Sequence, residues 1–163
     1  MLLLCCGITN RDAHPPVAMK VHFGQVYIEP GVALPFSHHF QRRLSEEITA
    51  LVTSSTKFTQ RYGEDWELMF RISAKRTICD NEIRGPSVFK NDKDVEFTIF
   101  LPFDAIQREA SVSRSAIGFL LCGVCAVLDS LGFDTSEIQA RLSSLAESIS
   151  SDPTMFEPDD CDA

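Results

Sequence analysis

WELMFRISAKRTICDNEIRGPSVFKNDKDVEFTIFLPF, residues 66–103, decides the fold. Its first ten residues alternate: Trp66, Leu68, Phe70, Ile72 and Ala74 fall on one parity, Glu67, Arg71, Ser73 and Lys75 on the other. A period of two is the pattern of a strand with one face in a core. Residues 95–103 repeat it with Val95, Phe97, Ile99, Leu101 and Phe103, and Pro102 marks a strand end or an edge position. Residues 76–94 lie between the two. A structureless loop of that length is unusual in a small domain, so it holds short hairpin strands or has a function of its own. Gly85-Pro86 is the expected turn, with Ile78, Ile83, Val88 and Phe89 as apolar anchors.

Upstream, residues 17–29 read as a strand or hairpin with a parity switch at Gly24, and Pro30-Gly31 breaks the chain. Residues 37–60 read as one helix: Phe36, Phe40, Leu44, Ile48, Leu51 and Val52 recur at spacings of three and four, with Ser37 as N-cap. Downstream, residues 113–131 form a largely buried helix that ends at Gly132. Asp134-Thr135-Ser136-Glu137 matches a capping box, and Ile138, Leu142, Leu145 and Ile149 give a third helix its stripe. The expected class is α+β: a small antiparallel β-sheet with three helices packed mainly on one face. Helices do not alternate one-for-one with strands, which argues against a doubly wound parallel sheet. Residues 19–152 are the expected single α+β domain. Residues 1–18 read as a flexible extension, with Met19 as an alternative start, and residues 153–163 as an acidic tail.

At 163 residues and 44% hydrophobic, the chain has the composition of a folded protein with room for one core. No stretch is long and apolar enough for a membrane helix, so no membrane role is expected. The net charge of −8 is uneven. Residues 1–80 carry nine basic and eight acidic side chains, residues 81–163 six and fifteen. Such a field repels phosphate, which excludes a nucleic-acid partner and suits a basic protein partner. The bland reading of the acidity is solubility. Six cysteines in a chain with its own core imply reduced thiols and a cytoplasmic location rather than a stapled secreted domain.

No motif carries chemistry, and the chain is not expected to be an enzyme. Cys122-Gly-Val-Cys125 lies mid-helix among leucines and valines, where a thiolate is costly, so both cysteines read as buried packing residues. His38 and His39 point about 100° apart on a helix and cannot chelate one ion, so no metal and no cofactor are expected. His22 reads as exposed. Glu46-Glu47 and Glu64-Asp65 read as solvated faces, and no nucleophile elbow, phosphate loop or zincin helix is present.

The densest mixture of charge, glycine and proline is Lys75–Glu96. Loops held by a rigid sheet collect binding residues, and mixed signs can match a partner in register. Asp80, Glu82, Arg84, Asp92, Asp94 and Glu96 are therefore the candidate partner-binding residues. The competing reading is a solvated hairpin whose charges pair with one another at under about 1 kcal/mol per pair.

The segment ISAKRTICDNEIRGPSVFKNDKDVEFTIFLPFD, residues 72–104, resembles bacterial immunity proteins of polymorphic toxin systems. CGVCAVLDSLGFDTSEI, residues 122–138, is similar to the helical part of that family. The resemblance runs over about two-thirds of the chain, between Met19 and Asp152; residues 1–18 fall outside it. It implies a non-catalytic cytoplasmic inhibitor that binds the C-terminal domain of a cognate toxin or effector and protects the producing cell. No binding residue carries over from the family. A nuclease is the toxin class an acidic inhibitor suits. The alternative from another class is an acidic secretion chaperone or adaptor, often a homodimer, that offers an apolar groove or strand edge, with residues 95–103 as the candidate edge.

Overall fold

The computed structural model describes residues 19–25, 38–51, 56–109 and 111–151. The expected extension 1–18, the tail 153–163, the Ser37 cap and the continuation of the first strand beyond Gln25 lie outside these residues. The elements are β1 (Val21–Gln25), α1 (His38–Leu51), α2 (Thr56–Tyr62), β2 (Glu67–Lys75), β3 (Glu82–Phe89), β4 (Asp94–Pro102), α3 (Phe103–Gln107), α4 (Val112–Ser130) and α5 (Thr135–Ser150).

The class is α+β, with one four-stranded sheet in the order β1-β2-β4-β3. The sheet is mixed and not antiparallel. β1 pairs parallel with β2, β2 parallel with β4, and only β3 runs antiparallel to β4. Two constraints produce this arrangement. Residues 26–66 carry α1 and α2 between β1 and β2, long enough for the crossover a parallel pair requires. The segment after β2 then has two strands to place. β3 contains Gly85 and Pro86, and a proline has no N–H to give a second neighbour, so β3 belongs at the edge. β4 is apolar enough to be flanked on both sides and takes the interior place beside β2. Gly85-Pro86 is thus inside a strand and not at the turn, which falls at residues 90–93, where Lys93 adopts φ 57°.

The alternation in β2 and β4 holds. Leu68, Phe70, Ile72, Val95, Ile99 and Leu101 are fully buried on the helix-facing side. They meet Phe40, Leu44 and Ile48 of α1 and Ile117, Leu120, Val124 and Leu128 of α4 in one apolar cluster. Burying each such side chain contributes about 1.5–3 kcal/mol. Among the described residues five helices stand where three were expected. The span 37–60 is described as α1 and α2, and the short α3 begins at Phe103, which the alternation had assigned to the strand. Phe58 of α2 is buried against Phe133, at 6.2 Å between ring centroids.

α1 lies along the outer edge of β1. The Ser45 hydroxyl accepts from the Phe23 N–H at 3.1 Å and donates to the Gln41 carbonyl. The Thr49 hydroxyl accepts from the Val21 N–H at 3.0 Å and donates to the Val21 carbonyl. Two hydroxyls thus do for β1 what a fifth strand would. At the other end of the chain, Gly132 (φ 82°) closes α4 and the Asp134 carboxylate accepts from the Ser136 N–H at 3.1 Å to open α5. The Ser136 hydroxyl, which donates to the same carboxylate, and then that N–H hold the Asp134 carboxyl below its ordinary range.

Helix α4 meets β4 closely at one position. A Cβ placed on Gly123 would lie 2.7 Å from the Ile99 side chain, whereas one on Gly118 meets open space. Gly123→Ala is expected to destabilise the protein by about 1–3 kcal/mol through overpacking. Gly118→Ala is expected to stabilise it by up to about 1 kcal/mol through helix propensity. Urea unfolding of the two variants checks both signs.

Candidate functional site

β3 projects from the body of the protein. Its burial pattern is exposed from Ile83 through Phe89. Ile83, Val88 and Phe89 are 37%, 43% and 45% exposed, three large apolar side chains on one strand. They do not anchor the segment to the core, as sequence reading had them. The helices cover β1, β2 and β4, and β3 overhangs that layer. Ile83 pairs with Ile99 and Val88 with Val95, so both lie on the helix-side parity of the sheet, while Phe89 pairs with Asp94 on the open face. The pairing slips between Arg84 and Ser87. That bulge explains why residues five apart in sequence share a face. Gly85 sits inside it at φ 133°, and a Cβ there would lie 2.8 Å from the Glu96 carbonyl oxygen. One link ties the hairpin base to the helices: the Asn81 amide donates to the Phe119 carbonyl at 2.7 Å.

The six candidate residues do not form one patch. Asp80, Glu82 and Arg84 lie at the entry of β3, Asp92 and Asp94 at its far turn, with the strand between them. The entry group is internally satisfied. Glu82 bridges Lys75 (3.1 Å) and Arg84 (2.8 Å). Hydrogen bonds from Lys75 and then Arg84 hold its carboxyl below the ordinary range. Asp80 accepts from the Asn81 N–H. Phe100, half-buried on the open face, lies between two of these cations, with Lys75 Nζ 4.1 Å and the Arg84 guanidinium 5.0 Å from its ring centre. Glu96 is more enclosed than Glu82, with its side chain 16% exposed, and pairs with Arg71. Sequence reading had Lys75 among the cations of a self-pairing segment, but missed Arg71 and Phe100 as partners of its charges. The signal was there, since Phe100 is an aromatic residue on the polar parity of β4.

The far turn is different. Among the described residues, Asp92 and Asp94 make no ion pair, while their neighbour Lys93 pairs with Asp65. Asp94 registers against Glu67. Partial burial, then the Glu67 and Asp92 carboxylates, push its carboxyl above the ordinary range, and His22 opposes this. His22 and Lys20 both lean on Glu67, at 2.7 and 3.4 Å. Lys90 and Lys93 equal Asp92 and Asp94 in number, but Lys93 is drawn to Asp65 and Glu67 adds a carboxylate beside Asp94, so the two aspartates stand without a direct ion pair among the described residues.

Two further expectations need correction. β4 is interior and cannot be the free edge, which is β3. Cys122 is exposed and Cys125 half-buried, so the pair is not fully in the core. They open on a groove of about 240 Å³ between α4 and α5, and burial pushes the Cys125 thiol up, against nucleophilic use. No group of three or more histidine, cysteine or carboxylate side chains among the described residues is placed to hold a metal ion. No helix among them is long and apolar enough to cross a membrane.

A raised carboxyl destabilises the folded state wherever it is ionised, and the cost disappears once it is protonated in both states. Asp94→Asn is therefore expected to raise stability at pH 7, by less than about 1 kcal/mol because solvent screens the site. The gain is expected to vanish as pH falls to and below the ordinary carboxylate range. Thermal melts of both proteins across that range measure it.

Comparison with models of known protein families, with curated proteins and with solved structures finds no match to this chain.

Proposed function

We propose that this protein is an immunity protein: a non-catalytic cytoplasmic inhibitor that binds the folded C-terminal domain of a cognate toxin or effector and protects the producing cell. The observation that carries the reading is the β3–β4 hairpin. It overhangs the helix layer and exposes Ile83, Val88 and Phe89, and its far turn holds Asp92 and Asp94 without cationic partners among the described residues. Apolar anchors flanked by charge are the make-up of a protein-recognition surface. Carboxylates free of direct ion pairs can engage the cations of a basic partner and speed encounter with it, and a nuclease cleft is basic. The resemblance of residues 72–104 to immunity proteins covers the same hairpin.

The secretion-chaperone reading needs a strand edge that can take up an added segment. β3 is such an edge by position. Pro86 lacks a donor and the bulge breaks the ladder at its middle, which disfavours backbone pairing along it. Recognition by side chains suits this strand better than recognition by added hydrogen bonds.

Expression of this chain is expected to rescue cells from growth arrest by the product of the adjacent upstream gene. Phe89→Ala is expected to weaken the complex by about tenfold or more, as loss of an aromatic anchor does. The double variant Asp92→Lys, Asp94→Lys is expected to slow association and to flatten its dependence on salt. Surface plasmon resonance over a salt series reads both. Absence of rescue together with absence of a complex would remove the reading, and tight capture of unfolded effector peptides would replace it with the chaperone.

A further inference from the structure

The groove between β1 and α1 lies away from the hairpin and has a use of its own. Because α1 reaches β1 through the Ser45 and Thr49 hydroxyls, the two elements stand apart and leave a groove of about 710 Å³ between them. That is the size of a small-molecule site. Phe23 and Ala50 give it apolar walls. Gln41 lines it and is only 5% exposed, yet its amide nitrogen has no hydrogen-bond partner among the described residues. A buried donor without an acceptor costs about 1–3 kcal/mol. The next residue on α1, Arg42, is exposed and makes no ion pair among the described residues. Lys20 and His22 stand on the opposite wall and both lean on Glu67, so Arg42 is the cation of the groove without an ion pair among the described residues, and Glu46 is the one carboxylate in the described lining.

We infer that this groove binds the carboxylate of a small organic acid with an apolar body. A modest turn of the Gln41 side chain presents its N–H donors to one carboxylate oxygen. The Arg42 guanidinium takes the charge, and the walls at Phe23 and Ala50 take the body of the ligand. A carboxylate satisfies the orphaned amide and the unpaired cation together; a neutral apolar ligand satisfies neither. The same chemistry is offered by a free acid and by the chain end of a peptide.

The probes are 4-phenylbutyrate and the peptide acetyl-Gly-Leu-Phe with a free C-terminus, each with its amide counterpart, titrated into the ¹⁵N-labelled full chain. Saturable shifts are expected at residues 20–23 and 41–50, with each amide weaker by about tenfold, as for loss of a hydrogen bond to a charged group. Preference for the free acid or for the peptide identifies the source. Gln41→Leu, similar in size, is expected to raise the thermal midpoint of the free protein while weakening the acid by about tenfold. Arg42→Ala weakens it comparably, and Arg43→Ala, whose side chain reaches Ser148, does not. No saturation by either acid below about 10 mM overturns the inference, as does unchanged affinity in folded Gln41→Leu or equal binding of acids and amides.

Discussion

Pro86 has no amide hydrogen, and the placement of a whole strand follows from that. A strand in the middle of a sheet must pair on both sides, and β3 cannot do so along its length. β4 therefore comes between β2 and β3, and the chain steps over its own sheet to make room. This step makes β2 and β4 parallel where an antiparallel sheet was expected. It also carries Ile83, Val88 and Phe89 beyond the reach of the helices, which cover the three inner strands. The apolar surface of the hairpin is a consequence of where a proline can sit.

Charge on the open face divides along the same strand. At its entry, Glu82, Lys75, Arg84 and the Phe100 ring satisfy one another, and such exposed pairs contribute little stability. At its far turn, Asp92, Asp94 and Glu67 crowd together, and the Asp94 carboxyl is raised first by partial burial and then by that crowding. The first group is a closed network that needs no partner. The second holds charge that a neighbouring cation would relieve, so the hairpin has a self-satisfied end and a reactive one.

The sequence made the class legible because β2 and β4 alternate so cleanly and α4 and α5 carry clear stripes and caps. The antiparallel reading of the sheet failed because a period of two is the same whichever way the neighbour runs; only the length of residues 26–66 and the proline in β3 bear on direction. Sequence reading took Ile83, Val88 and Phe89 as anchors because apolar residues in a loop are usually held by a core. Nothing local marks a strand as overhanging. The cysteines misled for a related reason. An apolar helix looks buried all round, but α4 shares one side with α5 across a groove, and Cys122 opens onto it. The groove beside Gln41 left no trace in the pattern at all, since it depends on how far α1 stands from β1.

Sheets end in rows of backbone groups that can template the strands of other molecules, and long flat ends are how ordered aggregates begin to grow. On the β1 side, the amides of Val21 and Phe23 are already spent on Thr49 and Ser45. A foreign strand arriving there would have to displace α1 before it could add. The two hydroxyls that set the spacing of the groove thus also close that flank of the sheet to fibril growth.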